Sequence, residues 1–286
     1  MTVEKTLRAL TESEHEAYER DGYHVARGLL SAEEVAEIKG AFMAQAKGGP
    51  VEGLSETGRI TDPSDPLHFY PRMMQPHHKP AFPLVQGLSK RYLLDRRVHD
   101  ILVDLFGEEP IAAQTMFYFK PPGSRGQDLH QDNFYLRIKP GSCMAAWVAI
   151  DDADRENGGM VVVPGSHRMD VACPRESDRS VFFTGDRVDV PEGKREKPAD
   201  LKAGDVLFFN GSVIHGSYPN ESQDRFRRAF ICHYAPASCS EVARSYPLYN
   251  FDGEQINRAS AEGGGPCGEV HEAPKSASAA TPGGAA

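Results

Sequence analysis

The chain changes from a helical to an extended hydrophobic pattern at Ile111-Ala112-Ala113-Gln114-Thr115-Met116-Phe117-Tyr118-Phe119-Lys120. Successive side chains of a strand point to opposite faces. Alternation therefore places one set on a common face: Gln114, Met116, Tyr118 and Lys120. The turn residues Pro121-Pro122-Gly123 follow directly and end the extended run. The stretch predicts a strand that presents polar and apolar side chains together on one face.

Several further short strands follow this one. They are predicted around His130, at Cys143–Asp151, Gly159–Val163, Gly204–Asn210, Val213–His215 and Arg225–Tyr234. Turn residues separate them, and no helical segment alternates with them. This pattern is typical of an antiparallel sandwich or barrel. We expect a mainly β fold with flanking helices.

The flanking helices come before these strands. Capping boxes at Thr11–Glu14 and Ser31–Glu34 each predict a helix start, and Asp95–Gly107 carries an apolar stripe at helical spacing. We expect the helices to buttress one side of the sheet. After Phe251 the composition changes to Gly, Ala, Ser, Pro and Glu. We therefore expect one domain over residues 1–251 and a disordered tail over residues 252–286.

The composition limits the classes of partner. The 286 residues are 40% hydrophobic, and a net charge of -9 argues against a nucleic-acid surface. No apolar run approaches the roughly 18 to 20 residues of a membrane-spanning helix, and residues 1–10 lack the apolar region of a secretory signal. Five scattered cysteines without a Cys-x-x-Cys pair favour reduced thiols. We expect a cytoplasmic protein that binds neither nucleic acid nor membrane; its oligomeric state stays open.

One short motif predicts chemistry. His130-Gln131-Asp132 is the only His-x-Asp or His-x-Glu in a chain with 11 histidines. On an extended strand its imidazole and carboxylate point the same way. A second histidine from another strand would complete the facial triad of non-haem Fe(II) oxygenases. Alone the motif is weak, because an exposed His and Asp near a turn is the common alternative.

Two later residues fit such a site. His215 directly follows the apolar segment Phe208–Ile214, and Arg227 comes twelve residues later. A buried arginine near a metal is suited to bidentate recognition of a carboxylate. Taken alone, Arg227 fits an exposed charge at a strand edge better.

The order of these residues and the motifs around them resemble the phytanoyl-CoA dioxygenase (PhyH) family of Fe(II)/2-oxoglutarate dioxygenases, which includes ectoine hydroxylase. The matching motifs are Thr115-Met116, Lys120–Pro122, Leu129–Asp132, Ala146–Asp151, Glu156–Met160, Val163–His167, Gly204-Asp205, Ile214–Ser217 and Phe226–Ala229. The resemblance covers roughly residues 8 to 240. It implies a double-stranded β-helix core (a jelly roll, cupin-like) with the metal at its mouth.

The resemblance also implies a role for each matching residue. The implied iron ligands are His130, Asp132 and His215. The implied 2-oxoglutarate contacts are Lys120, Arg227, Ser217, Trp147 and Met116, with Arg225 or Arg228 as alternatives to Arg227. The implied substrate contacts are Gln114, Phe134, Tyr135 and Phe69. Phe69 belongs to a loop over residues 67–74 that is either a lid or a segment pinned to the core by its aromatic residues.

The implied activity is hydroxylation of an unactivated C–H bond of a small molecule, a metabolite or natural-product intermediate. Fe(II) is the implied metal, 2-oxoglutarate and O2 are the co-substrates, and succinate and CO2 are released. Asp132 favours oxygenation over halogenation, because related halogenases have Ala or Gly at this position. The alternatives are desaturation, epoxidation or ring formation at the same centre, or a non-catalytic jelly-roll protein that binds a metal or ligand.

Overall fold

The structure is a computed structural model that describes residues 7–60 and 62–261. Its α-helices in these residues are α1 Glu12–Asp21, α2 Ala32–Gln45, α3 Pro66–Phe69, α4 Pro83–Leu93, α5 Arg96–Phe106 and α6 Asn133–Leu136. Short 3-10 helices cover Pro76–His78 and Ser166–Arg168. The strands are β1 Tyr23–Ala26, β2 Met73–Met74, β3 Pro110–Tyr118, β4 Gln127–His130, β5 Met144–Ala149, β6 Met160–Val162, β7 Arg175–Glu176, β8 Asp186–Arg187, β9 Lys197–Ala199, β10 Val206–Asn210, β11 His215–Ser217, β12 Ala229–Pro236, β13 Glu241–Val242, β14 Leu248–Tyr249, β15 Gln255–Ile256 and β16 Ala259–Ser260.

Two antiparallel sheets contain most of these strands. The larger sheet has the order β1-β10-β5-β12-β3-β14-β15, and β2 pairs with β3. The smaller sheet has the order β4-β11-β6-β9. Two further pairs are β7 with β8 and β13 with β16. The two sheets form the double-stranded β-helix, so the expected jelly-roll fold is confirmed.

The larger sheet packs against a different layer on each face. Phe117, Phe208 and Phe230 pack with the helices in one core cluster, and the ring of Phe117 stacks on Phe42 of α2 at 4.1 Å between centroids. The side chains that alternate with them, such as Met116, pack against the smaller sheet. The helices therefore buttress one face, as expected, and the other face encloses the space between the sheets.

Local signals account for some helices and not for others. The capping boxes Thr11–Glu14 and Ser31–Glu34 are both formed, so these predicted helix starts are confirmed. Helix α4 was not predicted. It follows Phe82, which makes no side-chain capping bond, and it contacts α2 through its apolar side. Pro83 in the first turn is a local start signal that sequence reasoning missed, and tertiary packing supports the helix.

The folded chain extends past the expected domain end at residue 251. Strand β15 pairs with β14 of the larger sheet, and β16 pairs with β13. Placing residues 252–261 in a disordered tail was therefore wrong. The rest of the expected tail, residues 262–286, lies outside the described residues.

The cysteines differ in state. Cys143, Cys232 and Cys239 are free and buried, whereas Cys173 is disulfide-bonded. The expectation of reduced thiols is thus wrong for Cys173.

None of the helices in the described part of the chain combines the length and apolar character that a membrane crossing requires.

Candidate metal centre and co-substrate pocket

Two histidines meet at the ends of neighbouring strands in the smaller sheet. His130 ends β4 and His215 begins β11, directly opposite each other in the register of the pair. Their ring centroids are 4.2 Å apart. Each Nδ1–H donates to a backbone carbonyl, that of Asp128 at 2.8 Å and that of Val213 at 2.9 Å. These bonds fix the tautomer in which Nε2 carries the lone pair that binds a metal.

Asp132 joins the two histidines, but not in the way the sequence predicted. Strand β4 ends at His130, and Asp132 has φ -62° and ψ -34° in the turn that begins α6. The prediction that both side chains lie on one extended strand was therefore wrong. The turn brings Oδ1 of Asp132 to 3.5 Å from Nε2 of His130 and Oδ2 to 3.6 Å from Nε2 of His215.

The chemistry of this donor set fits Fe(II). One ligand atom from each of His130, Asp132 and His215 lies within 4.8 Å of the others. Burial, and next His130, lower the pKa of His215 to about 4, so its ring is neutral at pH 7. Burial acts to raise the pKa of Asp132, but His215 and His233 outweigh it and hold that pKa well below its ordinary value. Two imidazoles and one carboxylate are the ligands of the non-haem Fe(II) facial triad.

Arg227 points into the space between the sheets. Its side chain is buried, its Nε donates to the carbonyl of Gly158 at 2.9 Å, and its guanidinium lies over the Trp147 ring at 5.3 Å. Burial lowers the pKa of Arg227 to about 10. In the described residues its terminal nitrogens have no carboxylate partner within ion-pair distance. They are available to an anion that these residues do not supply.

The two alternative arginines are engaged elsewhere. Arg225 pairs with Asp154 at 2.6 Å and is partly exposed. Arg228 pairs with Asp151, also at 2.6 Å. Of the three arginines, Arg227 is the one that the fold directs to the interior.

A second buried cation lies near Arg227. Nζ of Lys120 donates to Oγ of Ser217 at 2.8 Å and to the carbonyls of Gly158 and Tyr218. Burial, and next the charge of Arg227, lower the pKa of Lys120 well below its ordinary value. Gly158, with φ 85°, leaves the room for this side chain, because a Cβ there would lie 2.6 Å from Cδ of Lys120.

Ser217 connects these cations to the metal ligands. It lies two residues after His215 on β11, and its Oγ also accepts from the backbone N–H of Gln127 at 3.3 Å. The side-chain amide nitrogen of Gln127 lies 3.0 Å from Nε2 of His130, so it donates to the lone pair that a metal would take. Sequence reasoning missed Gln127, whose one signal was its position three residues before His130.

The predicted common face of β3 is directed at the same space. Met116 packs with Trp147 in the cluster between the sheets. Gln114 is buried and lies opposite His233 in the register of β3 and β12. Lys120 follows the end of the strand with φ 37°, yet its side chain reaches the same interior. The alternation argument therefore placed these side chains correctly.

The expected substrate residues differ in their distance from the triad. The ring of Tyr135 lies 6.3 Å from that of His130, and burial raises the pKa of Tyr135 to about 12. Phe134 is buried and meets Tyr135 edge-on at 5.2 Å. Phe69 is 45% exposed and contacts Tyr70. The structure does not bring Phe69 to the triad.

The rest of the loop over residues 67–74 borders a cleft beside Lys120. The walls of the cleft include Tyr70, Arg72, Tyr118 and Phe183. Arg72 donates to the hydroxyl of Tyr118 and, at 2.6 Å, to the carboxylate of Glu56. The loop is attached to the core, because Met73-Met74 pair with β3 and the ring of Tyr70 packs against Phe119; the alternative of a lid over a substrate pocket stays a prediction.

His233 is a second site residue that sequence reasoning missed. It is 2% exposed, and its Nε2 lies 2.9 Å from Oδ2 of Asp132. A signal was present, because alternation from Arg227 places Ala229, Ile231 and His233 on one face of the strand.

A jelly roll with a His-Asp-His triad at the mouth between its sheets defines the class of non-haem Fe(II) oxygenases. Comparison with known sequences identifies the family within this class. The profile of the family described as "Phytanoyl-CoA dioxygenase (PhyH)" matches residues 18–229, and the chain belongs to this family.

Individual curated relatives match only part of the chain. Peroxisomal phytanoyl-CoA dioxygenase of Bos taurus is 35% identical over 145 residues, which cover 48% of this chain and 42% of that protein. The match thus spans less than half the length of that curated relative.

Solved structures share the fold. The epimerase SnoN in complex with Fe3+, alpha ketoglutarate and nogalamycin RO has a TM-score of 0.61 at 23% identity, covering 80% of this chain and 84% of that one. EctD from S. alaskensis with 2-oxoglutarate and 5-hydroxyectoine has a TM-score of 0.59 at 22% identity, covering 83% and 80%. At these identities the likeness shows the shared fold.

Proposed function

We propose that this protein is an Fe(II)- and 2-oxoglutarate-dependent dioxygenase that hydroxylates an unactivated C–H bond of a small molecule. One observation carries the proposal. The buried cations Arg227 and Lys120 lie between the sheets, where Lys120 contacts Ser217 two residues after His215, and neither forms an ion pair with a carboxylate among residues 7–60 and 62–261. A buried charge without a partner is costly. The pocket is therefore suited to a dicarboxylate such as 2-oxoglutarate.

The polar groups of the pocket would bind this co-substrate in different ways. The two terminal nitrogens of Arg227 bind one carboxylate in the bidentate manner for which a guanidinium is suited. The Nε bond to Gly158 fixes the plane of the fork, and the Trp147 ring covers one of its faces. Lys120 and Ser217 provide an ammonium and a hydroxyl beside it.

The triad residues hold the metal. Bound Fe(II) supplies activation of O2, coupled to conversion of 2-oxoglutarate to succinate and CO2. His130 and His215 contribute Nε2 donors whose rings are fixed by backbone carbonyls. Asp132 contributes the single negative charge of the ligand set. Three protein ligands leave coordination positions for co-substrates.

The substrate would bind between the triad and the cleft. Tyr135 lies near His130, Gln114 is a buried amide opposite His233, and the ring of Phe134 meets that of Tyr135 edge-on. An enclosed site with a few polar groups among aromatic rings is typical of small-molecule binding. This arrangement supports a small substrate rather than a polymer.

The reaction type follows from the ligand set only in part. Asp132 retains a carboxylate at the third ligand position, which favours oxygenation over halogenation. Desaturation, epoxidation and ring formation would use the same residues and differ in the product. Hydroxylation adds one oxygen atom derived from O2, whereas desaturation removes two hydrogen atoms, so the product distinguishes these reactions.

The decisive experiment measures succinate formation by the purified protein with Fe(II), 2-oxoglutarate, O2 and a panel of small molecules. We expect succinate, stimulated by one class of substrate, with labelled oxygen from O2 in the product. Asp132→Ala should abolish both, whereas Arg225→Met, at a partly exposed ion pair, should retain both. Full activity of Asp132→Ala would refute the triad. Tight 2-oxoglutarate binding without turnover of any panel member would favour a non-catalytic binding protein.

A further inference from the structure

His233 reaches the metal centre from the opposite sheet. It lies on β12 of the larger sheet, between Gln114 on β3 and Ala145 on β5. Its Nε2 is 2.9 Å from Oδ2 of Asp132. This contact fastens the larger sheet to the one triad residue that does not lie on a strand.

No other contact holds this carboxylate as closely in the described residues. Asp132 lies in the turn before α6, and its side chain makes no capping bond to that helix. Its contacts with His130 and His215 are longer, 3.5 Å and 3.6 Å, and in both the imidazole atom is the Nε2 that would bind the metal. The terminal torsion of an aspartate is broad, so a carboxylate on a turn needs a separate partner to fix its plane.

This contact uses one of the two ring nitrogens of His233. An ionised carboxylate only accepts hydrogen bonds, so Nε2 of His233 carries the hydrogen. Its Nδ1 is buried and has no hydrogen-bond partner in the part of the chain described. An apolar side chain would fill the same place without the cost of an unpaired buried nitrogen. Packing alone therefore does not account for a histidine here.

We propose that His233 is a positioning residue that holds Oδ2 of Asp132, so that Oδ1 faces the metal together with Nε2 of His130 and Nε2 of His215. His233 acts through Asp132 and is not a ligand, since the group with ligand atoms within 4.8 Å of one another is His130, Asp132 and His215. The inference rests on the metal centre of the proposed function. Partners of this kind contribute about ten- to hundredfold to metal affinity.

The test compares variants that differ in the hydrogen-bond donor. His233→Gln keeps an N–H at nearly the reach of Nε2, whereas the shorter amide of His233→Asn places its N–H near the position of Nδ1. His233→Leu removes the donor and keeps an apolar side chain of similar size. Cys232→Ala is the matched control, because Cys232 is buried on the same strand but packs with the helices.

The probe is Co(II), titrated into the full-length protein, with the absorption spectrum reporting the number of ligands. We expect His233→Leu and His233→Asn to weaken Co(II) binding about ten- to hundredfold, and His233→Gln to stay within about threefold of the wild type. Cys232→Ala should lower the melting temperature and leave Co(II) affinity unchanged. If the leucine variant does not fold, the pair of asparagine and glutamine variants decides the result.

Three outcomes have different meanings. Wild-type affinity in His233→Asn would overturn the positioning role. A Co(II) spectrum of His233→Gln that shows one ligand fewer than the wild type would also overturn it, because His233 would then be a ligand. Failure of the wild type to bind Co(II) would refute the metal centre itself, which separates that failure from failure of the His233 inference.

Discussion

Replacing Arg227 by methionine should remove most of the affinity for 2-oxoglutarate without unfolding the protein. The Nε of Arg227 is already used by the carbonyl of Gly158, which leaves the terminal nitrogens for two charge-assisted hydrogen bonds. At about 1.5–3 kcal/mol for each such bond, their loss costs about 3–6 kcal/mol. This is an increase in Kd of about two to four orders of magnitude.

The same substitution should not lower the melting temperature. Arg227 and Lys120 are two buried cations, and the presence of the first lowers the pKa of the second. Methionine removes this repulsion and fills similar volume, which offsets the lost bond to Gly158. Reduced binding in a protein of unchanged stability distinguishes loss of recognition from misfolding.

The assay is calorimetric titration of 2-oxoglutarate with Mn(II) present and O2 excluded. Trp147, the single tryptophan of the chain, lies under Arg227 and gives an independent fluorescence signal. Arg227→Lys keeps the charge without the fork and should bind about tenfold or more weakly than the wild type. Arg225→Met is the control and should bind within about twofold of it. A methionine variant at position 227 with wild-type affinity, or an equal loss in Arg225→Met, would refute the assignment.

Three further perturbations test other parts of the pocket. Burial and Arg227 hold the pKa of Lys120 low, and a bound dianion favours its protonated form. Above the free-protein pKa of Lys120, binding should therefore take up a proton, and affinity should fall by up to about tenfold per pH unit. Titration in buffers of different ionisation enthalpy measures this uptake, and Lys120→Met should abolish it. Gly158→Ala places a Cβ 2.6 Å from Cδ of Lys120 at a residue with φ 85°. This substitution should lower the free energy of unfolding by about 1–3 kcal/mol, measured by thermal unfolding. An unchanged melting temperature would count against the tight contact. Tyr135→Leu should raise the KM for substrate about tenfold, because the ring of Tyr135 lies beside that of His130. Phe69→Ala should leave the KM unchanged, because Phe69 is exposed. Equal effects of the two substitutions would contradict a substrate site beside Tyr135.

The sequence predicted the faces of the strands better than their ends. Alternation over residues 111–120 correctly put Gln114 and Met116 on the face that lines the pocket. Periodicity does not show where a strand stops, however. The turn at Asp132 depends on a backbone bond from Asn133 to the carbonyl of Gly211, about eighty residues away, which no local pattern reports.

Residues that act through the second sheet were also beyond local reasoning. Alternation from Arg227 places His233 on the inner face of its strand, but it does not predict that His233 contacts Asp132. The pairing of β12 with β3 and β5 decides this. The triad residues could be predicted from the family resemblance because they lie in motifs that match the family. Phe69 was instead taken from a loop of irregular sequence, and it lies at the surface.

The two sheets contribute different parts of the site, and this division has a thermodynamic consequence. The imidazoles of His130 and His215, the proposed metal ligands, lie on the smaller sheet, whereas Arg227 and Lys120 adjoin strands β12 and β3 of the larger sheet. In the proposed function 2-oxoglutarate binds the metal as well as Arg227. A ligand that contacts both sheets should therefore stabilise the fold more when the metal is present.

We expect 2-oxoglutarate at a hundred times its Kd to add about 2.7 kcal/mol of stability in the presence of Mn(II). For a domain of this size that is a rise in melting temperature of about 5–10 °C. At the same 2-oxoglutarate concentration without metal, the rise in melting temperature should be much smaller, because the Kd is then higher. In Asp132→Ala the dependence of this rise on metal should disappear. Equal shifts with and without Mn(II) in the wild type would show that 2-oxoglutarate binds the cations alone, so that the two halves of the site do not work as one.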